Sequence, residues 1–70
     1  MATDLQKLEF VSFCIEEYKK TINKNGHEVE QMFERRGVLK FLFDCYEALH
    51  TQGTMAIIDD INEFLKNHPE

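Results

Sequence analysis

Tryptophan is absent from this chain, proline occurs once and glycine three times. With so few punctuating residues, the many tight turns of a β-sandwich or barrel have no sequence to build them, and the long uninterrupted stretches favour helices. Two cysteines are too few for the disulfide framework of small secreted domains, so both thiols are expected reduced. Positive charge is also scarce: eight Lys and Arg stand against thirteen Asp and Glu, a net of −5. A nucleic-acid surface needs clustered cations to displace counterions, and this balance argues against such a partner. No stretch reaches the roughly 18 apolar residues of a membrane span. Met1 is followed by polar and acidic residues rather than by a basic segment and an apolar run. The expectation is a cytoplasmic protein with no membrane contact.

What the 70 residues do contain is a 43% hydrophobic fraction with six Phe, enough for one compact core. A chain this short buries only about 60% of the surface its unfolded form exposes, so every large apolar residue counts. Residues 1–70 are expected to form a single helical domain, and four segments carry the helical signal.

The first segment opens with Thr3 and Gln6 in capping-box spacing and closes on Asn25 and Gly26, residues that tolerate the left-handed conformation at helix ends. Between them Leu8, Val11, Ile15, Tyr18 and Ile22 alternate in steps of 3 and 4, a single stripe down one side of a helix. The second, HEVEQMFERRG, places Val29, Met32 and Phe33 on one face, Arg35 and Arg36 in its last turn and Gly37 at its end. In the third, VLKFLFDCYEALH, apolar residues cover an arc of roughly 220°, leaving Lys40, Asp44, Glu47 and His50 outside it. Such a helix belongs at the centre of the fold. The fourth has Thr54 as its expected N-cap, a stripe of Ile57, Ile58, Ile61, Phe64 and Leu65, and Pro69 beyond its end. The fold class is therefore all-α, a small four-helix bundle-like domain with one long N-terminal helix, one short helix, a central buried helix and a C-terminal amphipathic helix.

Candidate chemistry is thin. Cys45 and His50 sit close together in DCYEALHTQG, yet five residues rotate a helix by about 500°, leaving them roughly 140° apart and unable to chelate one ion. Cys45 falls in the apolar arc as a small hydrophobe, and His50 suits the carbonyls at the end of its helix. Cys14 has no cation at helical spacing to favour its thiolate. His27 and His68 lack the i, i+4 partner of a two-histidine zinc site. The adjacent carboxylates Glu16 and Glu17, and Asp59 and Asp60, point about 100° apart and form no acid/base couple. No catalytic residue, metal, cofactor or small-molecule substrate is expected.

Phe10 and Phe13 do not fit the simple bundle, since they lie about 100° or more away from the Leu8, Val11 and Ile15 stripe. Either the second or fourth helix folds over them, or they form a surface for another protein or for self-association, with Glu9 and Glu17 beside them. The leading expectation is a non-enzymatic protein-interaction module. The alternative is a helix-turn-helix-like DNA-binding regulator built around Gly37, with Arg35, Arg36 and Lys40 touching phosphates. The apolar third helix speaks against it, because a recognition helix keeps a polar face for base edges.

The order of residues carries a further signal. FCIEEYKK at 13–20, EVEQMFERRGVLKFLFDCYEALHTQG and IIDDINEFLKN together resemble a family of small uncharacterised bacterial proteins of unknown function. The resemblance covers nearly the whole chain. It rests on apolar residues and helix ends, so it implies a shared fold more than a shared chemistry. It also implies a companion: such proteins are often encoded beside another small, ADP-ribosyltransferase-like protein, which suggests a toxin and antitoxin style of pairing with this chain as the binding partner. It supplies no catalytic or binding residues.

Overall fold

Thr3 and Gln6 do form the capping box. In the computed structural model, which describes residues 2–69, the Gln6 amide donates to Thr3 Oγ1 at 3.1 Å and the Thr3 amide donates to Gln6 Oε1 at 2.9 Å. This starts α1 (Asp4–Ile22). The described residues form four further helices and no strand: α2 (Gly26–Arg35), α3 (Val38–Asp44), α4 (Tyr46–Leu49) and α5 (Thr54–Asn67).

The end of α1 differs from the expectation. Asn23, not Asn25 or Gly26, takes the left-handed conformation, at φ 55° and ψ 49°. Asn25 instead opens α2: its Oδ1 accepts the Glu28 amide at 2.8 Å while its Nδ2 donates to Glu28 Oε1 at 2.8 Å. One asparagine stops a helix and the next starts another, so the connection is only three residues long. Gly37, at φ +80°, turns the chain from α2 into α3 as the sequence suggests. At α5 the N-cap is Gly53 and Thr54 is the first helical residue; no side chain caps that end.

The third expected helix is two. Cys45 leaves helical geometry at φ −100° and ψ 18°, and its carbonyl accepts from both the Ala48 and Leu49 amides at 3.1 and 3.0 Å, which starts the single turn of α4. No Gly or Pro marks this break. Immediately past it the Tyr46 ring meets Phe10 of α1 edge-on, with centroids 5.3 Å apart.

The core lies where α1, α2, α3 and α5 converge. Phe33, Leu42, Ile61, Val29, Val38 and Cys14 are fully buried, and Tyr18, Ile57, Ile58 and Leu49 close around them. On α1 the buried strip is Val11, Cys14 and Tyr18. That is a rotation of the expected stripe: Ile15 and Ile22 are half-buried on its shoulder and Leu8 is 54% exposed. Cys14, which the expected stripe did not include, is at the centre. Two side chains secure α5 through long-range bonds. Tyr18 donates its hydroxyl to Asn62 Oδ1 at 2.6 Å, and Arg36 Nη2 donates to the Leu65 carbonyl at 2.9 Å and to that of His68 at 3.4 Å. The radius of gyration, 11.2 Å, matches the roughly 11 Å expected of a close-packed domain of this length.

Candidate interaction groove

Phe10 and Phe13 part company in the structure. Phe10 is half-buried against Tyr46, so α4 supplies the cover that the sequence left to the second or fourth helix. Phe13 stays 43% exposed. Both line an open groove of about 540 Å³ between the first half of α1, α4 and the start of α5, with Tyr46 and Ile57 as its other apolar walls and Glu9 and His50 at its rim. Glu17 is not among the lining residues; its carboxylate pairs with Lys20 at 3.2 Å. Of the four residues expected at a partner surface, three therefore come together.

Tyr46 and His50 were missed as groove residues, although their i, i+4 spacing was a usable signal. Their rings stack with centroids 4.2 Å apart and planes within 6°. His50 Nδ1 lies 2.8 Å from the Tyr46 carbonyl, which can only accept, so this nitrogen carries the proton and caps the turn. Phe64 and His68 repeat the device at the end of α5, with rings 4.1 Å apart and Nδ1 2.9 Å from the Phe64 carbonyl. The capping role expected of His50 is what the geometry shows.

Cys45 belongs to a different cavity. It is half-buried and lines an apolar cleft with Phe41 and Phe64, whose rings stack at 4.5 Å, while His50 faces the groove. Cys14 is sealed in the core, and burial pushes its thiol up to about 12, so at neutral pH it holds its proton and is no nucleophile. The basic cluster proposed for phosphate contact is engaged within the molecule: Arg36 holds the end of α5 and Lys40 pairs with Asp44 at 2.6 Å. Among the described residues no His, Cys, Asp or Glu group is arranged to hold a metal ion. None of the described helices is long and apolar enough to cross a membrane.

Residues 9–68 match a family described as a protein of unknown function, DUF3791. No curated protein and no solved structure matches the chain.

Proposed function

We propose, on the premise that the chain belongs to the DUF3791 family, whose function is unknown, that it is a non-enzymatic protein-interaction module. The observation that carries this reading is Phe13, a large aromatic side chain left 43% exposed beside a groove that Phe10, Tyr46 and Ile57 also line. Aromatic residues at the centre of an apolar patch are the usual anchors of interfaces, because burying them removes much surface from water at little cost in side-chain entropy. The partner surface comprises Phe13 at its centre, Phe10 as a supporting wall, and Glu9 and Glu17 at the i−4 and i+4 positions around Phe13.

In its finer form, the protein is the antitoxin-like or regulatory partner of another bacterial protein. Support for that form is the sequence resemblance alone, which makes an ADP-ribosyltransferase-like companion the first partner to test. Co-expression of the two chains, with Phe13→Ser in one of them, is the experiment. The variant should lose the companion while keeping its helical circular dichroism. A complex that survives the substitution rules out this surface, and loss of the helical signal makes Phe13 a core residue instead.

A further inference from the structure

The groove beside Phe13 has a rim of one sign. Glu9 borders it from α1, and Glu47 borders a smaller hollow that shares Gln6, Tyr46 and His50 with it; no Lys or Arg lines either. Neither carboxylate meets a cation among the described residues. Some acids elsewhere do, as in Glu16 with Lys19 at 3.0 Å, Glu28 with Lys24 at 3.9 Å and Asp44 with Lys40 at 2.6 Å. Unneutralised carboxylates around an apolar floor favour an occupant that brings its own cations, since their attraction strengthens as water leaves.

The wall is also held in place. Tyr46 is held by Phe10, whose ring stands perpendicular to it, and by His50 stacked on its face, and His50 is itself bonded to the Tyr46 carbonyl. A preorganised wall loses little freedom when it is covered. Among the described residues there is no strand, so an extended peptide finds no sheet edge to join; the groove lies between helices, where another helix lays its apolar face. A second copy of the chain is a poor occupant, because each carries a net charge of −5.

Resting on the interaction reading above, we infer that the groove takes a basic amphipathic helix of a partner protein. Its apolar side chains cover Phe13 and Tyr46, and its Lys or Arg residues lie against Glu9 and Glu47.

Two synthetic helical peptides of about 18 residues, five turns each, test this: one of Leu and Lys at amphipathic spacing, the other with Gln in place of every Lys. The Leu/Lys peptide should shift the amide resonances of Phe10, Phe13, Tyr46 and Ile57. Combining Glu9→Lys with Glu47→Lys should weaken it about tenfold, whereas Glu30→Lys with Asp59→Lys, the same charge change elsewhere, should alter it less than about twofold. Equal loss from both pairs, or shifts scattered over the acidic surface, means attraction by net charge alone and overturns the inference. Equally tight seating of the Leu/Gln peptide overturns the basic partner while leaving an interaction groove. A groove unmoved by either peptide overturns the helical occupant. The underlying reading fails separately, through a natural complex indifferent to Phe13→Ser.

Discussion

Tyr18 and Asn62 share a 2.6 Å hydrogen bond across 44 residues of sequence, joining α1 to α5. The Tyr18 ring is buried, 5.2 Å from Phe33, while Asn62 is exposed. Tyr18→Phe therefore removes the bond, keeps the ring and leaves Asn62 to water. Urea denaturation should show a loss of about 1 kcal/mol. Tyr18→Ala, which also empties part of the core, should cost about 3–5 kcal/mol.

The buried thiol of Cys14 makes the fold sensitive to alkali. Burial raises it from 9.0 to about 12 in the folded state. The unfolded chain then releases this proton first, so the contribution is intact below pH 9 and is lost as pH rises from there toward 12. Burial likewise raises Tyr18, so it adds to the decline above its ordinary 10.0. The urea midpoint of the parent should fall between pH 9 and 11 more steeply than that of Cys14→Ala. Parallel curves would discard the thiol as the cause.

Phe13 and Phe33 have the same side chain and opposite duties. Phe33 is completely buried, so Phe33→Ala should cost about 3–5 kcal/mol. Phe13→Ser should change thermal stability by less than about 1 kcal/mol, as exposed substitutions do. Paired melting curves give the comparison directly.

Two glycines should respond with opposite signs to the same substitution. Gly37 sits at φ +80°, and a Cβ there would meet Phe64 at an ordinary 3.8 Å, so Gly37→Ala should cost about 1 kcal/mol through the backbone alone. Gly26 begins α2 with room for a Cβ 3.7 Å from Lys19. Gly26→Ala should raise stability by about 0.5 kcal/mol, by restricting the unfolded chain.

Arg36 closes the last turn of α5, yet its Nε is buried without a partner. Arg36→Met forfeits the carbonyl bonds and also relieves that unsatisfied group, so the net loss should be about 1 kcal/mol. Hydrogen exchange should quicken at the end of α5 and not at its start.

The parts of the fold legible in the sequence were those governed by neighbours three or four residues apart. The Thr3–Gln6 box, the Gly37 turn and the α5 stripe of Ile57, Ile58 and Ile61 needed no tertiary information. The break at Cys45 was invisible because no Gly or Pro encodes it, and the contact beside it, Tyr46 on Phe10, spans 36 positions. The rotation of α1 was hidden for a related reason. Leu8 and Cys14 are both acceptable on an apolar face, and only the positions of α2, α3 and α5 decide which is covered. At the groove, Phe10 and Phe13 stood out as residues that one face could not bury, with Glu9 named as their neighbour, while Tyr46 and Ile57 arrive from distant sequence.

Because Ile57, Ile58 and Ile61 close the core from the last helix, the order of synthesis matters. At roughly 5–20 residues per second, α1 waits several seconds at the ribosome before α5 is complete. During that interval the strip of Val11, Cys14 and Tyr18 lacks the part of its cover that α5 supplies, and the nascent chain is stickier than the finished one. Slow translation through residues 54–67 would lengthen this exposure and lower yield without altering a single side chain.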